Sequence, residues 1–390
     1  MKQRHGETQF LDGLRGIASL AVVFSHLLFW YHPEAHIGLK ATTPSPVALW
    51  LFNSPFSFFY KGGYAVTVFF VLSGFVLTAV CLRKQDNLYL ARATVKRYLR
   101  LGGPVFAAIV LCAAMQTAGA FQASRLGIHG PLSGAYGGPL EWFKAMRSAL
   151  YGSMIYGDRT YDYVLWTISI EFYGSLLVFA TVALFGFDKR LMRRVAAVLF
   201  LLFFIEMGQL TYYSLFFAGA FLAAWGPQQI PVTPARRAGA ISALIAGLYL
   251  GGYAPGSTAY EYLAHTANDL QVKGILTLNW PIVFSGLGAA LLLYAVLILP
   301  SVRRLLCARP LIWLGHISFS LYLLHSMFLT AITPWIIHWL GLGAPSFFVS
   351  LAAVTLVSLA AAHLFWRWID VPFMRLADRF GDVATRDSAR

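Results

Sequence analysis

One apolar stretch, residues 10–30, reads FLDGLRGIASLAVVFSHLLFW and carries Asp12, Arg15, Ser19 and His26. On a helix turning 100° per residue, Arg15 and His26 are eleven positions apart and return to within about 20° of each other. Asp12 and Ser19 fall near the same stripe, so one face of an otherwise lipid-compatible helix is polar. Ionisable side chains at membrane depth are costly and tend to line a cavity. A helix–helix hydrogen bond is the plainer account of His26, but its depth favours a functional role. Asp12 and Arg15 also fit a snorkelling pair at the membrane edge, which explains Asp12 as well as a functional role does.

Other segments raise the same question. YDYVLWTISIEFYGSLL places Trp166, Thr167, Ser169 and Glu171 at the start of an apolar run. An interfacial Trp is commonplace, whereas a carboxylate a few residues into a span is not. LGHISFSLYLLHSMF carries His316, Tyr322 and His325. RATVKRYLRLGGP carries Lys96, Arg97 and Arg100, with the two arginines one helical turn apart. Guanidinium forks suit phosphate, although a cytoplasmic anchor of positive charge has the same composition. FFVLSGFVLT sets Ser73 and Gly74 in mid-span, where small residues permit close helix packing and could also let a slender ligand pass. The G-x-S-x-G elbow of a serine nucleophile is absent there.

These residues need helices to hold them. The chain of 390 residues is 58% hydrophobic and 12% charged, with mean hydropathy +0.64. A soluble domain carries about a quarter charged residues, so a polytopic membrane protein is expected. Apolar segments around 10–30, 62–82, 103–123, 163–185, 195–209, 211–226, 238–254, 280–299, 311–333 and 346–368 predict about ten spanning helices. The pair between 195 and 226 could instead be one broken helix. Asp12, Arg15 and the lack of an A-x-A site argue that the first helix is retained rather than cleaved as a signal. Three cysteines indicate neither a disulfide framework nor a cysteine metal site, and no metal is expected.

The formal charge of +14 has a topological explanation. With both termini cytoplasmic, the inner segments hold 22 Lys and Arg against 7 in the outer ones, with Arg15 inside a helix. Nucleic-acid binding is therefore not required. His26, Glu171 and His325 then share the outer half of the bilayer, with Arg15 about 16 Å below His26 along its helix. Long outer segments around 31–61, 124–162 and 255–279 contain pieces such as EWFKAMRSALYGSM that suit interfacial or re-entrant helices. The sequence predicts one all-α transmembrane domain over residues 1–375 and a polar, disordered cytoplasmic tail over 376–390.

Six stretches in order, FLDGLRGIASLAVVFSH, GYAVTVFFVLSGFVLT, KRYLR, LWTISIEFYGSLL, LGHISFSLYLLH and WRWIDVPFMRL, resemble the acyltransferase-3 family of integral-membrane O-acyltransferases. The resemblance implies about ten spans and transfer of an acyl group, most often acetyl, from cytoplasmic acyl-CoA to a hydroxyl, often of a glycan. It implies functional roles for Arg15 and His26, for Arg97 and Arg100, for Trp166 and Glu171, for His325, and for Asp370, Pro372 and Arg375. The chain departs from the family pattern at Lys96, where a second arginine is usual. It also places Pro104 one position late and has Asp370 where glutamate is usual.

The resulting expectation is an O-acyltransferase at a bacterial inner membrane, with acyl-CoA as co-substrate and no permanently bound cofactor. The acceptor would be a glycan or glycolipid, for example lipopolysaccharide, at the outer face. His26 would be the general base, because an alcohol is too weak an acid to attack unaided and an imidazole titrates near operating pH. Glu171 would orient or charge-stabilise that imidazole, as carboxylates do in hydrolytic triads, or bind the sugar. Arg15, Lys96, Arg97 and Arg100 would bind the donor. Asp12, Ser73, Trp166, Ser169, Tyr322, His325 and Arg375 would support the site or hold the acceptor. The alternative is a transporter or flippase, for which the paired broken helices of an inverted repeat are not visible.

Overall fold

Long apolar runs in a medium without water must satisfy their own backbone groups, and a helix does so within one segment. The computed structural model describes residues 8–40, 45–205, 208–272 and 278–385, and among these every regular element is helical. The long helices are α1 (Gln9–Tyr31), α2 (Gly62–Lys84), α3 (Asn87–Thr117), α4 (Trp166–Phe185), α5 (Lys189–Phe204) and α6 (Thr211–Trp225). They continue as α7 (Pro234–Gly251), α8 (Trp280–Ile298), α9 (Arg309–Leu340), α10 (Ala344–Phe365) and α11 (Val371–Ala384). Seven helical segments among the described residues are long and apolar enough to cross a membrane. The stretches expected to hold the other three spans are helical, as α5, α6 and α7 of 16, 15 and 18 residues, but they are not among those seven.

The chain divides into two compact units, and the division falls inside helices α1, α3, α4 and α9. The first unit comprises Met1–Val22, Glu34–Leu90 and Tyr173–Gly315. In it α6 packs against both α2 and α5, and α8 packs against α7 and α2. Small residues make the α2–α6 contact possible. A Cβ on Gly74 would stand 1.9 Å from the carbonyl oxygen of Phe216, and one on Gly219 would stand 2.0 Å from that of Val71. The sequence reading of Gly74 as a packing residue is explained by this backbone contact. Polar groups within the unit are tied internally: Tyr64 donates to Gly247 O at 3.0 Å and Thr67 to Ser285 O at 3.1 Å.

The second unit comprises Val23–Pro33, Ala91–Phe172 and His316–Arg390, and it holds most of the chemistry-bearing residues. Its core joins Val105, Ile109 and Cys112 of α3 to Leu165, to Leu323 and Met327 of α9, and to Phe365 of α10. A second cluster packs Leu27, Trp30 and Tyr31 of α1 against Leu329, Ile337 and Val354. The EWFKAMRSALYGSM segment is helical from Trp142 to Arg147 and continues in π-helical turns over Ser148–Tyr156.

The expected disordered tail is corrected as far as residue 385. Helix α11 runs to Ala384, buries Ala377 and Gly381, and aligns its acids with the basic start of α3. Lys96 Nζ meets Asp378 at 2.8 Å, and Arg92 meets Asp382 at 3.3 Å and Thr385 at 3.0 Å. Opposite charges four residues apart on each helix convert two polar segments into one packed pair. Residues 386–390 of the tail lie outside the described residues.

Gly74→Val drives a side chain into the α6 backbone. It should cost at least about 1–3 kcal/mol, the usual penalty of overpacking, and lower the melting midpoint of the solubilised protein. A midpoint equal to wild type would show that α2 and α6 do not depend on this contact.

Candidate active site

The proton positions at the centre of the second unit follow from one fact, that a carbonyl oxygen only accepts. His325 lies in α9, completely buried, with Nδ1 3.0 Å from Leu321 O and 2.9 Å from Tyr322 O. Nδ1 must therefore carry the hydrogen, and the neutral ring keeps its lone pair on Nε2. That Nε2 is 2.9 Å from Nδ1 of His26. With an acceptor on the His325 side, His26 must be the donor and is held as the Nδ1–H tautomer. Its own lone pair is then on Nε2. The two ring planes differ by 5° and their centroids are 5.1 Å apart, so the imidazoles meet edge to edge in a shared orientation suited to an N–H···N bond.

The turn that begins α4 clamps the His325 segment. Tyr322 donates to Val164 O at 2.9 Å and shares a hydrogen bond of 2.9 Å with Thr167 Oγ1. One turn along α9, Ser326 donates to Asp162 Oδ1 at 2.8 Å, and Tyr136 donates to the same oxygen at 2.9 Å. Asp162 and Ser326 are fully buried, so these bonds operate in a low dielectric where they are worth most. Between the two flanking tyrosines, Tyr163 sets its ring edge-on to His26, with centroids 5.3 Å apart and planes at 81°.

Glu171 is not the group the structure sets on His26 Nδ1; that place belongs to His325. The Glu171 carboxylate instead accepts a hydrogen bond from Nη2 of Arg97. The reason lies in α4 itself: Glu171 is one turn beyond Thr167, about 6 Å further along the axis, and meets α3 there. Arg97 is 9% exposed, so the pair is largely buried. Two of the expected donor cations are paired with an acid in this unit, Lys96 with Asp378 and Arg97 with Glu171, while Arg100 is near enough to the buried Asp370 for their charges to be felt without an ion pair between them. The π-helical turn Trp366–Asp370, between α10 and α11, delivers Asp370 to that position.

Other expected residues fall elsewhere. Ser169 donates to the carbonyl oxygen of Trp166 at 3.3 Å and so works locally within α4. Arg375 is exposed on α11. Asp12, Arg15 and Ser73 belong to the other compact unit, where Asp12 and Arg15 stand 4.0 Å apart, three residues from each other on α1. Sequence reasoning missed Tyr136, Asp162, Tyr163 and Ser326. Asp162 and Tyr163 lie three to four residues before Trp166 in the same stretch and Ser326 follows His325, so nearness to a chosen residue was the available signal. Tyr136 sits in a Gly-rich segment and gave none.

A multi-pass helical protein whose polar residues gather around two histidines is the class these features define. A family model described as an acyltransferase domain, that of the acyltransferase-3 family, matches residues 8–364, and the chain belongs to that family. The chain is 23% identical over 451 aligned residues to an acyltransferase, clz18, of Cochliobolus lunatus, covering 95% of each protein. No solved structure matches.

The buried Arg97–Glu171 pair makes an unusual stability prediction. Arg97→Gln leaves a carboxylate without its cation and should cost about 3–5 kcal/mol. The double variant Arg97→Met with Glu171→Leu should recover most of that loss in a thermal melt. Equal midpoints for the single variant and wild type would mean that the pair is not buried.

Proposed function

We propose that this acyltransferase moves an acyl group, acetyl in the first instance, from acyl-CoA to a hydroxyl of a glycan or glycolipid, with His26 as general base. The observation that carries the reading is the directed hydrogen bond from His26 to His325. It presents a neutral imidazole with a lone pair on Nε2, the state a base needs before an alcohol attacks. When His26 takes the proton, the resulting imidazolium keeps Nδ1–H on the lone pair of His325. That contact steadies the positive charge without adding a negative one to a buried site. His325 thus takes the orienting role that a carboxylate has in a hydrolytic triad.

The donor's phosphates suit the basic start of α3. Arg100 is exposed and Lys96 half-buried, so Arg100 can meet a phosphate directly and Lys96 can exchange Asp378 for one. Arg97, tied to Glu171, is better read as holding that end of α3 to α4 than as a mobile clamp. With the acyl-CoA phosphates on the cytoplasmic side and His26 in the outer half of α1, the thioester would approach the base from within. The acceptor hydroxyl would come from outside. The sequence's charge distribution supports this orientation.

The test uses purified protein, radiolabelled acetyl-CoA and a panel of hydroxyl acceptors. His26→Ala should lower transfer by about 10²–10⁴-fold, the usual contribution of general-base catalysis. His325→Gln, which keeps an acceptor oxygen, should retain more activity than His325→Leu. Arg100→Ala should raise KM for acetyl-CoA with little change in kcat. Label transfer undiminished in His26→Ala would exclude His26 as the base.

A further inference from the structure

The base and its orienting partner leave one requirement of acyl transfer unmet. When an alcohol adds to a thioester, the carbonyl oxygen takes up negative charge, and a preorganised donor must face it. The second unit contains a hydroxyl in a suitable condition. Tyr163 Oη is buried and has no hydrogen-bond partner among the described residues. Its neighbours differ. Tyr136 is bonded to Asp162 and Ser326, and Tyr322 to Val164 and Thr167. Buried hydroxyls are nearly always paired, because leaving one unmade forfeits the hydration it had in water. Ser320, Thr333 and Ser358 of this unit also carry buried hydroxyls without a partner, but of the three tyrosines gathered here the unpaired one is the residue whose ring stands edge-on to His26, at 5.3 Å between centroids.

We propose that Tyr163 donates its hydroxyl hydrogen to the acyl carbonyl oxygen during transfer; this rests on the acyl-transfer reading of His26. The acceptor oxygen forms a bond to the thioester carbon while its proton passes to His26 Nε2. The carbonyl π electrons move to oxygen, where Tyr163 meets the charge. Collapse of the adduct breaks the C–S bond, and the departing CoA thiolate recovers the proton from His26. A phenol is well matched to this role, because it keeps its proton at neutral pH, its ordinary pKa being about 10, and its ring is fixed by packing. The position on the turn that clamps His325 couples donor and base to one rigid element. The rival explanation is a buried water joining Tyr163 Oη to Asp162 Oδ2, which is also buried and unpartnered.

Tyr163→Phe separates these, because it preserves the ring and removes only the hydroxyl. Wild type, Tyr163→Phe and His26→Ala are compared with radiolabelled acetyl-CoA and a panel of methyl glycosides, alongside thermal melts of each protein. The oxyanion role predicts a kcat lower by about 10²–10³-fold, the loss seen on removing one such donor. KM for acetyl-CoA and for the glycoside should stay within about twofold, and the melting midpoint should not fall. Tyr136→Phe, which removes a hydroxyl already bonded to Asp162, should lower the midpoint and so calibrate the structural effect. A Tyr163→Phe enzyme with near-normal kcat and a lowered midpoint overturns the proposal in favour of the water bridge. A raised glycoside KM at unchanged kcat also overturns it, because the hydroxyl would then anchor the acceptor. Wild type that transfers no label overturns the acyl-transfer reading itself, and the inference with it.

Discussion

A backbone carbonyl has lone pairs and no proton to give, and the polarity of the candidate site depends on that asymmetry. The carbonyl oxygens of Leu321 and Tyr322 require a hydrogen on His325 Nδ1. The lone pair this leaves on Nε2 in turn requires a hydrogen on His26 Nδ1. The consequence travels from the helical ladder of α9 through two side chains to His26 Nε2, where the lone pair of that ring is left. Replacing the orienting carboxylate of a triad by a second imidazole suits a site with little water. Burying a charged carboxylate costs its hydration unless partners restore it, whereas a neutral ring needs only its hydrogen bonds.

The same scarcity of water explains how the rest of the second unit is arranged. The turn Asp162–Thr167 answers α9 with successive hydrogen bonds at Tyr322 and Ser326, so His325 is fixed on either side. Glu171, one turn later, meets Arg97, because each of these largely buried charges needs the other. At the start of α3 the charges are more exposed and the pairs with α11 correspondingly weaker.

Much of the fold was legible in the chain. Hydropathy located the helices because lipid imposes a length and an apolar composition on anything that crosses it. His26, His325 and Glu171 stood out because each is expensive in that setting, while Arg97 was singled out as part of a basic cluster just before a span. Gly74 was readable as a packing residue for the same reason, since few other roles suit a glycine in mid-span. The helicity of α11 was not legible. Taken alone, the segment is polar enough for a disordered tail, and only the basic residues of α3, nearly 300 positions earlier, give its acids a surface to lie on.

The sequence by itself determined the helical membrane architecture, the family and the set of ionisable residues placed at cost within the spans. Only the tertiary structure decided their partners. Similar depth suggested that Glu171 would serve His26, but depth is one coordinate and a hydrogen bond needs three. Rotation of α4 and α9 about their axes gave His26 to His325 and Glu171 to Arg97. It also brought forward Tyr163, an inconspicuous residue in the sequence, whose ring stands beside His26. Helix periodicity states which residues share a face, while the packing of one helix on another determines what that face meets.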